Sequence, residues 1–238
     1  METRTDSGYW DYFGKIFCIS LAQRPDRQEN AKIQFEKVGL AGKVEFLIVN
    51  RHPRNCEEGI YESHLTCIQK GIQAGADHIA IFEDDVLFDR FSPARLKNCI
   101  DFLSRHSDWN ALFFGCLVSG SRRTGNKHIL KVKYRCLSHA YVLNRRFAEV
   151  LVKRPWQGMA YDDFLGSFNE EFYAIYPSFA FQSNSPSDNS KYLRLDKFRR
   201  FCGGLQLIQK GDELFFHHMA GIIAFHIMLV LFGLLWVM

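Results

Sequence analysis

The chain has 238 residues, 47% of them hydrophobic and 24% charged, which suits one cored domain with an appendage and excludes wholesale disorder. Its 30 Lys and Arg against 26 Asp and Glu leave a formal charge of +4, too balanced for a dedicated nucleic-acid binder, so no nucleic-acid partner is expected. Seven cysteines at wide spacings, with no CxxC, exclude a zinc ribbon or redox motif and read as small core residues of a reducing compartment.

Residues 1–14 form an N-terminal extension with acids and no continuous apolar run, so no secretory signal is read there. Residues 15–21 (KIFCISL) predict a strand, and 28–38 a helix with Ala31, Phe35 and Val38 on one face. A second strand is expected over 43–49. The stripe Tyr61, Leu65, Ile68 and Ile72 predicts a helix over 59–74. Residues 77–82 (DHIAIF) predict a third strand, ending abruptly in acids. Ser92 caps a helix that starts at Pro93 and carries Leu96, Ile100 and Leu103 inward. A fourth strand follows at 111–114.

Beyond it, a polar turn at 120–127 separates two short segments. Strands are expected at 139–143 and 172–176, helices at 145–152 and 161–168, and a loop at 183–190. The repeated βα units of 15–115 predict an α/β fold, a mostly parallel sheet with helices on both faces, in a domain spanning 15–190. Residues 191–218 read as a basic linker. Residues 219–238 (MAGIIAFHIMLVLFGLLWVM) carry no charge. That length of helix spans about 30 Å, the thickness of a bilayer core, so a transmembrane tail anchor is expected, with a buried core helix as the alternative. Lys and Arg upstream of it place the folded part, by the positive-inside rule, on the cytoplasmic side of that membrane.

In open α/β sheets, ligands bind beyond the carboxyl ends of the strands. Three such places are polar. Arg24 and Arg27 flank Pro25-Asp26 between the first strand and helix, where helix N–H groups and guanidinium forks suit phosphate; an ordinary solvated turn accounts for the same residues. Glu83-Asp84-Asp85 follow the third strand directly. Along an extended chain, Glu83 and Asp85 share a side, and a hard divalent cation such as Mn²⁺ or Mg²⁺ would relieve their repulsion. Bound there, the cation would neutralise a diphosphate leaving group. Asp162-Asp163 stand at a helix start, where acids are common for structural reasons, yet either carboxylate would serve as a general base. His64 lies beside the apolar stripe of its helix and reads equally as a packed core histidine. Asp188 is an ordinary loop former.

These blocks resemble glycosyltransferase family 25, the lipooligosaccharide-type galactosyl- and glucosyltransferases. FCISLAQRPDRQENAKIQFEKVGL is similar to the family's opening, and GIYESHLTCIQKGIQAGADHIAIFEDDVLF to its next block, where a Ser-His pair precedes a strand ending in Glu-Asp-Asp. SHAYVLNRRFAEVLV, YDDF and PSFAFQSNSPSDN follow in the same order, so the resemblance runs over about 15–189. Ser20 departs from the family's usual Asn, and Ala22-Gln23 from a more polar pair.

The resemblance implies a GT-A fold with a Rossmann-like sheet, and an inverting transfer of galactose or glucose from a UDP-sugar donor to a hydroxyl of a glycan or glycolipid acceptor. It implies that Arg24 and Arg27 lie near the donor diphosphate, that Asp85 and Glu83 hold Mn²⁺ (or Mg²⁺), with Glu83 near the ribose, and that Asp162 or Asp163 is the base. Ser63, His64, Asp84 and Gln182 are implied as further substrate-site residues, and Asp188 as a completing metal ligand. Two rival expectations use the same residues: a catalytically dead member that scaffolds an assembly at the membrane, and a metal-dependent nucleotidyl- or phosphotransferase.

Overall fold

The structure, a computed structural model, describes residues 8–168, 170–185, 199 and 203–237, without the side chains of 220 and 230–237. Among the described residues an eight-stranded sheet runs in the order β2-β1-β3-β8-β5-β9-β7-β6. Its strands are β1 (Lys15–Leu21), β2 (Glu45–Val49), β3 (His78–Glu83), β5 (Ala111–Phe113), β6 (Leu117–Arg123), β7 (Ile129–Cys136), β8 (Ala140–Asn144) and β9 (Phe172–Ile175). Two further strands, β4 (Val86–Phe88) and β10 (Ala180–Gln182), pair antiparallel beside it. The helices are α1 (Pro25–Lys37), α2 (Cys56–Gln73), α3 (Pro93–Leu103), α4 (Arg145–Leu151), α5 (Tyr161–Gly166) and α6 (Leu205–Val237).

The pleat of β3 shows how sequence makes the layers. Ala80 and Phe82 face a core that also takes Ala31 and Phe35 of α1 and Leu96 and Cys99 of α3. Ile79 and Ile81 face the opposite core, with Leu65 and Ile68 of α2, Phe147 of α4 and Phe164 of α5. Successive side chains of a strand point to opposite faces, so a continuously apolar strand needs helices on both sides. That expectation is met.

Six of the eight strands run one way, and β7 and β8 run against them. The pairs β1–β2, β1–β3 and β5–β9 are parallel, whereas β8 runs against both β3 and β5, and β7 against both β9 and β6. The insertion of β8 matters for the site, because it brings Ser138 and His139, just ahead of Ala140, to the carboxyl end of β3. The Glu83 N–H donates to His139 O at 2.9 Å. The Asn55 side chain accepts from the Glu57 and Glu58 N–H groups and starts α2, while Ser92 accepts from the Arg95 N–H and starts α3 as its Ser-Pro pair predicts.

The C-terminal part departs from the linker reading. Residues 191–218 are not linker throughout: α6 begins at Leu205 and docks on the domain. Leu205 and Gln209 are buried. The Gln209 amide donates to Ala180 O at 2.9 Å, and the carboxylates of Asp212 and Glu213 accept the Val118 and Ser178 N–H groups at 3.0 and 2.9 Å. Gly115 permits this approach: a Cβ there would stand 1.9 Å from Ala180 O and 2.3 Å from the Gln209 amide nitrogen. The expected membrane span finds no support: among the described residues no helix is long and apolar enough to cross a membrane. The first turns of α6 carry Lys210, Asp212 and Glu213 and are used for docking, while residues 223–229 are exposed. The side chains of 230–238, which complete the apolar run, lie outside the described residues.

Candidate active site

A cavity of about 380 Å³ opens at the carboxyl ends of β1, β2 and β3. Arg27, Ser63, His64, Glu83, Asp84, Asp85, Asp162, Asp163 and Gln182 all line it. The sequence order scatters these residues over three helices, two strands and a turn; the strand crossovers gather them. Arg24 is not among the lining residues. Its guanidinium forks onto Asp26 at 3.0 and 2.9 Å at the start of α1. Asp188 lies outside the described residues.

The acidic run divides its labour. Asp84 and Asp85 form the tight turn between β3 and β4. Asp84 faces β1 and α1: it accepts Ser20 Oγ at 2.6 Å and Arg27 at 3.2 Å, while its N–H donates to Ile19 O. Ser20, which sequence reading marked only as a departure from the family's Asn, thus anchors the turn to β1. Asp85 accepts the Gln182 amide at 2.9 Å and stands 3.5 Å from the Arg27 guanidinium; its carbonyl accepts the Ser183 N–H. Its Oδ1 is buried and, among the described residues, has no hydrogen-bond partner. A buried carboxylate oxygen without a donor is costly, and it is the feature that fits a hard divalent cation. Glu83 keeps 29% of its side-chain surface, open to the cavity, with Ser138 Oγ and His64 Nε2 each 3.5 Å from its Oε1.

Burial, then the charge of Glu83, pushes Asp85 up to about 7, against the pull of Arg27 and Gln182. Burial, then Asp162 and Asp84, likewise raises Glu83. Both groups therefore hold their protons more tightly in the folded chain than in the unfolded one. The resulting penalty on the folded state is absent below the ordinary carboxylate range, near about 4. It grows as pH rises through about 7. In chelator, the Tm is expected to fall between about pH 5 and about pH 8, and Mn²⁺ to restore it; a flat or rising profile in differential scanning fluorimetry contradicts this.

The paired aspartates part company. Asp162 accepts three bonds: Tyr134 OH at 2.5 Å, and the Leu137 and Ser138 N–H groups at 3.0 Å each. Leu137 sits at φ 77°, a left-handed conformation that costs a branched residue about 1–3 kcal/mol. Asp162 sustains that bend and so holds the β7–β8 connection that delivers Ser138. Asp163 is exposed to the cavity. Among the described residues its side chain has no hydrogen-bond partner, so its carboxylate stays open to the cavity. Sequence reading left this pair undivided, because the donors that occupy Asp162 lie some 25 residues upstream.

One more cluster at the rim has the makings of a cation site: His52, Glu58 and Glu62. His52 Nδ1 accepts the Asn55 N–H at 3.0 Å, which leaves the ring proton on Nε2, facing Glu58 at 3.9 Å. A protonated Nε2 has no lone pair to offer, so we assign this trio no metal. Arg199 also lines the cavity, from a segment that reads in sequence only as basic linker.

No family model matches the chain. Among curated proteins, the "Probable inactive glycosyltransferase 25 family member 3" of Bos taurus is 23% identical over 185 residues, covering 64% of this chain and 31% of the relative. The "Inactive glycosyltransferase 25 family member 3" of Homo sapiens is 24% identical over 129 residues, covering 43% of this chain and 22% of the relative. The matches thus span less than a third of either relative's length. Among solved structures, A197 from STIV superposes with a TM-score of 0.49 at 13% identity, over 71% of this chain and 85% of that one. HddC from Yersinia pseudotuberculosis gives 0.37 at 15% identity, over 70% and 72%. The resemblance read from the sequence is borne out at the level of homology: the chain's curated homologues are glycosyltransferase 25 family members, distant ones that carry the word inactive in their names.

Proposed function

We propose that the cavity binds a UDP-sugar and that the chain transfers its hexose, galactose or glucose, with inversion, to a hydroxyl of a glycan or glycolipid. The observation that carries this reading is the acidic turn: a cavity-facing Glu83 beside an Asp85 whose buried Oδ1 lacks a donor among the described residues, in a cavity that an exposed Asp163 also lines.

The donor set suits Mn²⁺ or Mg²⁺, with Asp85 and Glu83 as the holding residues. A cation there would neutralise the diphosphate and ease its departure. The chain's own residues do the rest. Ser20 and Arg27 fix Asp84, and Asp84 fixes the turn. Gln182 holds the other oxygen of Asp85. Asp163 takes the proton from the acceptor hydroxyl as that oxygen attacks the anomeric carbon, and the C–O bond to the diphosphate breaks on the opposite face. Asp162 keeps Leu137 and Ser138 in place and does not itself carry the proton.

A second reading has one observation in its favour, the word inactive in both relatives' names. In it the chain keeps the fold and the nucleotide pocket but not turnover. Mass spectrometry of purified chain incubated with UDP-galactose, UDP-glucose and Mn²⁺ separates the two. Transfer to a simple glycan, or slow release of free hexose that stops in chelator, is expected; intact donors after prolonged incubation would leave the binding-only reading standing.

A further inference from the structure

α6 leaves the domain beside the turn of the β6–β7 hairpin. The Val118 N–H meets Asp212 at 3.0 Å and, about one helical turn on, Ser121 Oγ donates to Phe216 O at 3.1 Å, so strand and helix run the same way. Tyr176 ties the hairpin turn to the helix as well. Its N–H donates to His128 O at 2.9 Å, and its ring stacks on His217 with centroids 3.8 Å apart. Arg122, Arg123 and Lys127 therefore stand near the start of residues 219–238, which carry no charge. All three are exposed, and among the described residues none has an ion-pair partner; Lys131, across the ladder from Arg122, is taken by Glu171.

Past that level the helix is apolar and uncovered on every side. Residues 223–229 are all exposed, and Ile223, Phe225, Ile227, Met228 and Leu229 are each more than half exposed. Seven consecutive residues make nearly two turns, so no face is spared. A second helix or a protein groove covers one stripe of a helix and leaves the rest in water. Acyl chains cover all of it. The one strongly polar side chain, His226, is turned onto its own backbone, its Nδ1–H donating to Ile222 O at 2.7 Å, as suits an apolar medium. Anionic headgroups attract Lys and Arg held near a membrane surface, and the three basic residues sit where the helix passes from charged to chargeless sequence.

We propose that the β6–β7 hairpin and the distal part of α6 form one lipid-docking face, with residues 223–229 among acyl chains and Arg122, Arg123 and Lys127 against anionic headgroups. What the described residues require is insertion, not a crossing. The docking is independent of the reading of the cavity; where that reading holds, it brings the cavity to glycolipid acceptors. The same helix lines the cavity with Leu205 and is fixed to the domain through Gln209, Asp212 and Glu213, so the cavity keeps one orientation to the lipid.

Flotation of the full chain with phosphatidylcholine vesicles, with and without phosphatidylglycerol, tests this. The chain is expected to float with both and to partition more tightly onto the anionic ones. Replacing all three basic residues (Arg122→Gln, Arg123→Gln, Lys127→Gln) should weaken partition onto the anionic vesicles about 100-fold, at about fivefold per residue, and leave the neutral ones unchanged. Phe225→Ser with Met228→Ser should lower partition onto both by at least about tenfold. All five positions are exposed, so the variants should melt as the unaltered chain does. Unchanged partition of the triple variant onto anionic vesicles overturns the proposal. So does a full chain that floats with neither vesicle and sediments as a dimer that the Phe225→Ser, Met228→Ser variant breaks, because a second copy then covers the apolar face. The readout needs neither nucleotide nor metal, so its failure and that of the cavity reading are separate.

Discussion

Replacing Glu83 with Gln and Asp85 with Asn together is expected to weaken Mn²⁺-dependent UDP binding by more than about 100-fold, since even outer-sphere partners of a metal cost 10–100-fold. The fold should survive. Both acids are held protonated or penalised in the metal-free chain, so neutral isosteres relieve repulsion instead of creating a hole. The double variant should therefore melt at or above the unaltered chain in chelator while losing its response to Mn²⁺. Asp84→Asn is expected to behave differently. Its carboxylate is committed to Ser20 and Arg27, so the variant loses stability first and ligand affinity only as the turn loosens. A double variant that binds Mn²⁺–UDP as the unaltered chain does would remove these acids from the account.

The second large effect separates the paired aspartates. Asp163→Asn is expected to lower turnover by about 10²–10⁴, the range of general-base catalysis, with little change in UDP affinity. Asp162→Asn should instead cost about 1–3 kcal/mol of stability, because its amide would set an N–H against a backbone donor at Leu137 or Ser138. Thermal melts and initial rates on the two variants check this. Equal rate losses with equal stability would mean that the division of roles is wrong.

Much of the layout was legible from local pattern. An apolar strand that stops at three acids places them at the carboxyl end of the sheet, and the Ser92-Pro93 pair marks its helix without ambiguity. What pattern could not give was pairing. Nothing in AYVLN distinguishes a strand that runs with β3 from one that runs against it, yet that choice carries Ser138 and His139 to Glu83. Arg24 meets Asp26 because a guanidinium two residues from an aspartate at a helix start finds a partner close by. Asp162 and Asp163 looked equivalent because their difference is made by backbone N–H groups from β7 and its turn. The docking of α6 was hidden for a related reason: Gln209, Asp212 and Glu213 fall in what reads as a basic linker, and only the glycine at 115 and the open N–H groups of Val118 and Ser178 make them partners.

The central claim is that the Glu83–Asp85 turn holds a divalent cation against a nucleoside diphosphate. Isothermal titration of UDP into the full chain, once with Mn²⁺ and once with chelator, tests it most directly. Saturable one-to-one binding that disappears in chelator is the predicted result. No heat in either buffer from folded protein, or UDP binding that is indifferent to the metal, would contradict it.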